Sequence, residues 1–296
     1  MYQLVDTLSL LIRKGPALIS LAVLALLAIA IPLLAVGLSG SLGPVSRQRV
    51  ATFARRQALL ITPDNGNAVI AYLATTRRWR AAGLAVGFVA SVVWSFGNGF
   101  SIGTVQLIAG WFAGAVIAEW RIHRLPPGAR ISASLQPRLA AAYVSAAARA
   151  VPLLVAGISV ATAGVSVGVN MSGRAGATPQ VVSLAAVAVL LAAVGRVVEG
   201  RILDRPQPFA AADVLAADDA IRSRSLRVLV GAIGTLATYC VVAQLGFLSH
   251  GFPVGATHST MTYAQIVLWL VGTLFGRAMG TSPWAVRRPV EAVPAA

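Results

Sequence analysis

Charge is scarce in this chain, and one sign of it scarcer still. Of 296 residues 11% are charged, only nine are Asp or Glu, and a single lysine, Lys14, stands beside 23 arginines. Soluble domains carry about a quarter charged residues, so a soluble globular protein is excluded. Disorder is excluded as well, because it requires low hydrophobicity, and 57% of this chain is hydrophobic with a mean hydropathy of +0.78. One cysteine, Cys240, cannot form an intrachain disulfide. The arginine-for-lysine skew reads as a GC-rich coding genome.

Catalytic and nucleotide signatures are missing too. No P-loop, HExxH or GxSxG is present, and Gly97, Gly99 and Gly103 have the wrong spacing for a dinucleotide fingerprint. No cofactor or metal ligand set is expected, and an enzymatic role is disfavoured. His250 and His258 share a loop without a nearby carboxylate or thiol, whereas structural zinc takes four protein ligands and catalytic zinc usually three.

What is present is a series of apolar runs, each near the length of about 20 residues that a helix needs to cross a bilayer. Seven are expected to span: 16–38, 81–97, 100–118, 151–169, 181–195, 228–248 and 264–276. None contains a charge. The fold class is therefore all-α, a polytopic bundle of about seven spans with helical extensions. An N-terminal span plus basic segment occupies 1–80, and a membrane bundle of three hairpins, 81–118, 151–195 and 228–276, occupies 81–296.

The connections 39–80, 119–150 and 196–227 and the tail from 277 hold 21 of the 24 basic residues, whereas the opposite connections hold only Arg174. By the positive-inside rule those four segments are cytoplasmic, which accounts for the net charge of +15 without nucleic acid. The expected location is the bacterial cytoplasmic membrane, with the N-terminus outside and the C-terminus inside. Arg13 and Lys14 oppose that orientation, and a re-entrant 16–43 is the alternative. A cleaved leader is disfavoured, because it would export an arginine-rich segment.

The hairpins resemble one another. Glu119-Trp120-Arg121-Ile122 leads to Arg124 and Pro126; 80 residues later Glu199-Gly200-Arg201-Ile202 leads to Arg205 and Pro206; Gly195-Arg196 returns as Gly276-Arg277. Either this is duplication, or every exit from a membrane uses arginine anchors and a proline stop. Helical stretches 67–80, 138–150 and 211–227 are expected to project into the cytoplasm before each hairpin. Glycines at four-residue spacing (83 and 87, 110 and 114, 164 and 168, 272 and 276) read as close helix packing, mostly internal.

Two sets of side chains are candidates for function. Glu119, Arg121, Arg124, Glu199, Arg201, Asp204, Arg205, Asp218, Asp219 and Arg222 form an expected partner-docking or lipid-headgroup surface, with salt bridging on a solvated face as the plainer account. Asn98, Gln106 and Gln244 are the candidate polar lining within the membrane. The lack of a carboxylate or histidine inside any span argues against a self-sufficient proton-driven carrier.

From Arg201-Ile202-Leu203-Asp204-Arg205-Pro206-Gln207-Pro208 through Ala216-Ala217-Asp218-Asp219-Ala220-Ile221-Arg222-Ser223 the chain resembles the uncharacterised multi-pass integral membrane proteins of GC-rich bacteria. These are similar to permease-type components paired with separate ATP-binding subunits. The resemblance implies a non-enzymatic, transport-associated subunit with the lipid bilayer and a cytoplasmic ATP-binding subunit as partners. The alternatives are an intramembrane enzyme acting on lipid headgroups through Glu199, Asp204, Asp218 and Asp219, and a membrane scaffold.

Overall fold

The computed structural model describes residues 43–98, 104–122, 131–132, 139–171, 178–208, 211–249 and 255–281. The expected first span, 16–38, lies outside them. The described chain is all-helical apart from one pairing of two-residue strands, β1 (Ile131–Ser132) with β2 (Gln207–Pro208), antiparallel. The helices are α1 (Arg47–Gln57), α2 (Pro63–Asn98), α3 (Thr104–Arg121), α4 (Ala146–Met171), α5 (Thr178–Leu203), α6 (Ala212–Ser249) and α7 (Ala256–Thr281). Each of the six expected segments after residue 80 falls within one of α2 to α7, apart from 100–103 ahead of α3. α2 runs without a break through residues 80 and 81, so the boundary drawn there is no interruption in the chain.

By length and composition three described helices can cross a membrane: Ala146–Asn170, Pro179–Leu203 and Ala212–Ser249, with mean hydropathies of 2.0, 2.5 and 1.9. The protein is thus a membrane-type helical bundle. α3 and α7 dilute their apolar runs: α3 ends on Glu119-Trp120-Arg121 after only 18 residues, and α7 carries His258, several threonines and Gln265. About seven spans are therefore not reached on that measure.

α6 is the axis of the bundle. It packs against α2, α3, α4, α5 and α7, and its most apolar stretch is 83% buried, against 28% for those of α4 and α5. The outward faces of α4 and α5 carry Leu153, Leu154, Val187 and Leu190, as lipid-facing helices should.

Glycines decide how closely two hairpins close. A Cβ on Gly83 would stand 2.1 Å from the Gly110 carbonyl oxygen, and one on Gly87 2.3 Å from that of Gln106, so no side chain fits between α2 and α3. In lipid, where no hydrophobic force pulls helices together, such approach gains dispersion contact. α7 meets α6 similarly, with Gly272 and Gly276 under Thr238 and Thr235, and the Thr235 hydroxyl donating to the carbonyls of Gly231 and Gly272. Gly164 and Gly168 face open space instead, so this pair is not internal.

Local sequence fixes the start of α2. Thr62-Pro63-Asp64-Asn65 is a capping box: the Asn65 amide donates to Thr62 Oγ1 and the Thr62 amide donates to Asn65 Oδ1 at 2.9 Å, with Pro63 in the first turn. The Thr62 hydroxyl also donates to Asp213, and Asn65 Nδ2 to the Asp213 carbonyl, which ties the first turn of α6 to that of α2.

Two of the three expected projections are continuous with their helices, but none is a free rod. The stretch 138–150 is interrupted: a short 3-10 turn at 140–142 precedes α4, because Tyr143 and Val144 bend inward to pack on Val198, Ile202 and Leu226. Residues 217–223 of α6 are buried apart from the half-buried Asp219, with Ala217, Ala220 and Ile221 packing on Phe53, Val69 and Tyr72. The apolar face of this stretch is consumed within the chain.

Candidate functional site

The basic ends of the three hairpins meet at one end of the bundle. Three arginines lie over tryptophan rings there, Arg80 over Trp111, Arg121 over Trp79 and Arg201 over Trp120, at 4.7, 4.9 and 4.1 Å from the ring centroids.

Between α1, α2, α3 and α6 lies a cavity of about 660 Å³. α1 contributes Arg49, Thr52 and Arg56, spaced to share a helical face, while its Phe53 is buried against Tyr72. α2 contributes Arg77 and Arg80 and then, one turn further, Leu84; Trp111 and Arg224 complete the wall. A second cavity of about 290 Å³ shares Arg56, Arg80, Trp111 and Arg224 and adds Phe112, Gly276, Arg277 and Gly280. Six arginines thus surround two cavities with common walls. Among the described residues no Asp or Glu lines either.

The nearest acid lies behind the wall. Glu119 is fully buried and accepts a hydrogen bond from the Tyr72 hydroxyl at 3.2 Å, while its second oxygen has no hydrogen-bond partner. Burial raises its pKa, against the pull of Ser225, Arg80 and Tyr72. Burial also pushes the Arg80 guanidinium below its ordinary range, and the Arg224 charge adds to this against Tyr72 and Glu119. Arg80 Nε is buried without a hydrogen-bond partner. Among the described residues arginine alone supplies the charge that lines these cavities, an arrangement that favours an anion.

The expected docking surface is dispersed and largely occupied by its own chain. Asp218 is 6% exposed, paired with Arg222 at 2.8 Å and Arg205 at 3.3 Å. Arg222, 1% exposed, also donates to the carbonyls of Ile202, Leu203 and Arg205, closing the C-terminal end of α5. Asp218 and Arg222 are thus structural, not members of a solvated face. Glu199 is held by Arg149 at 2.6 Å and Arg196 at 2.9 Å. Asp219 accepts from the Tyr143 hydroxyl at 3.4 Å. Asp204, Arg121 and Arg201 are exposed, and Arg124 lies outside the described residues. Among the described residues no three His, Cys, Asp or Glu side chains come together as a metal site would require.

Of the expected polar lining, Gln106 and Gln244 stand on different helices, α3 and α6. Gln244 is fully buried: it accepts from the Ser159 hydroxyl at 2.9 Å and donates to the carbonyls of Ser159 and Val181, pinning α4 and α5 to α6. Gln106 has a buried oxygen with no hydrogen-bond partner, and the Asn98 side chain lies outside the described residues. His258 contacts the Ser249 carbonyl at 3.1 Å.

Sequence reading passed over Arg49, Arg56, Arg77, Arg80, Arg224 and Arg277, counting them only as a topology signal. The spacing of 49 and 56 on one helical face was visible; their meeting with α6 and α7, over 160 residues away, was not. Compared with known proteins, the chain matches no family model, no curated protein and no solved structure.

Proposed function

We propose that this chain is a non-enzymatic, multi-pass protein of the bacterial cytoplasmic membrane whose arginine-lined cavity binds an anionic, phosphate-bearing group on the cytoplasmic side. The observation that carries this reading is the set of six arginines around the two cavities, with no acid among the described residues that line either. Arginine suits phosphate, because its planar fork offers paired donors and keeps its charge. In this reading α2 to α7 and the segment 16–38 make about seven spans, with the N-terminus outside and the arginine-rich end inside.

Such a protein acts as a transport-associated, permease-like subunit energised by a cytoplasmic ATP-binding partner. The chain carries no nucleotide motif of its own, and the exposed Arg121, Arg201 and Asp204 at the basic end offer charges for such a partner. An ATP-hydrolysing subunit co-purifying at equal stoichiometry from native membranes supports this role. A chain that purifies alone from the same membranes rejects it.

The binding site is tested on detergent-purified full chain. Sodium pyrophosphate should raise the thermal unfolding midpoint above that in sodium chloride of equal ionic strength, and Arg56→Gln or Arg277→Gln should shrink the rise. Equal midpoints in the two salts reject the site.

A further inference from the structure

We propose that the phosphate at this end belongs to an anionic phospholipid of the bilayer that occupies both cavities, its headgroup on Arg80, Arg224 and Arg277 of the smaller and its apolar body against Leu84 and Trp111 of the larger. This rests on the anion-site reading above and names the ligand.

Two observations favour a lipid over a free phosphate. The first is the order of the wall along α2. Leu73, Arg77, Arg80 and Leu84 follow at successive turns, so the arginines are flanked by apolar side chains, and Leu84 lies inside the apolar run that begins at residue 81, with Trp111 opposite on α3. A free phosphate would contact the arginines and leave the apolar half wet. An amphiphile covers both halves, and basic pockets between helices near the cytoplasmic surface suit anionic headgroups.

The second is a missing acid. Glu119 closes α3 and Glu199 closes α5, each near arginines: Arg80 acts electrostatically on Glu119, and Arg149 and Arg196 pair with Glu199. Carrying the match of Gly195-Arg196 with Gly276-Arg277 forward, the position of Glu199 falls in the third hairpin on Gly280. A Cβ there would meet nothing within 4 Å, and Gly280 lines the smaller cavity beside Arg80, Arg224 and Arg277. At the aligned position the third hairpin thus has glycine where the second has a carboxylate, and the lipid phosphate takes the place of that carboxylate beside Arg277.

The test uses the full chain, reconstituted in nanodiscs of phosphatidylcholine alone or with phosphatidylglycerol and then extracted into detergent. Lipid retained per protein is counted by mass spectrometry. Phosphatidylglycerol should be retained near one per chain and phosphatidylcholine not. Arg277→Gln and Gly280→Glu should each weaken retention by about tenfold, the value of one charge-assisted contact. Gly280→Glu adds an acid in open space, so it keeps the readout valid if the arginine variant is poorly folded. If phosphatidylglycerol is not preferred while pyrophosphate still stabilises the chain, the lipid assignment falls and the anion site stands. If neither has any effect, both fall, as they would were the cavity filled by a segment of the chain itself. Retention unchanged in both variants also overturns the lipid assignment.

Discussion

Arg222 and Asp218, one turn apart on α6, form an ion pair at 2.8 Å with 1% and 6% of their side chains exposed. The same guanidinium closes the end of α5 by donating to its last carbonyls. One arginine therefore neutralises a buried acid and joins two helices.

Removing one partner of a buried pair leaves the other charge uncompensated, at about 3–5 kcal/mol, with Arg205 across from Asp218 softening the loss here. Arg222→Gln should accordingly lower the thermal midpoint in detergent markedly, and Arg222→Met with Asp218→Leu should recover much of it. A single variant as stable as the parent shows that the pair contributes nothing.

The glycines divide into two groups by what their side chains would meet. Gly83→Ala puts a carbon into the Gly110 carbonyl oxygen and should cost about 1–3 kcal/mol as α2 and α3 separate. Gly164→Ala enters open space and should be neutral or stabilising by about 0.5–1 kcal/mol, the helix preference of alanine over glycine. Chemical denaturation in mixed micelles gives both values, and equal costs would contradict the packing.

The contact between Thr62 and Asp213 carries a pH signature. The Thr62 hydroxyl holds the Asp213 carboxyl below the usual aspartate range. A depressed pKa in the folded state contributes stability above the ordinary value of about 4, and that contribution fades as pH falls through the lowered value. Thr62→Val should destabilise the chain at pH 6, and the gap to the parent should narrow as the pH drops below 4. A gap independent of pH assigns the effect to the lost cap alone.

Orientation is open to labelling in intact cells. In a Cys240→Ala background, cysteines at Ser46 and Ala141, both exposed at the basic end, should resist an impermeant thiol reagent, and one at the exposed Ser259 should react. Reaction at Ala141 from outside inverts the orientation proposed above.

Composition and hydropathy by themselves determined that the chain is a helical membrane protein. They also marked six apolar segments after residue 80 that fall in α2 to α7, because a helix at home in a bilayer is a long apolar run with its charges at the ends. The four-residue glycine spacing was legible, but not which pairs are internal: Gly83 and Gly87 find Gly110 and Gly114, while Gly164 and Gly168 find nothing. That depends on which faces meet. Asp218 and Arg222 have the spacing of an ordinary surface pair, and only the return of α5 against α6 buries them. The arginine cavity was hidden for the same reason. Its arginines come from α1, α2, α6 and α7, and charges so far apart in sequence gather only when α6 becomes the axis on which every other hairpin packs.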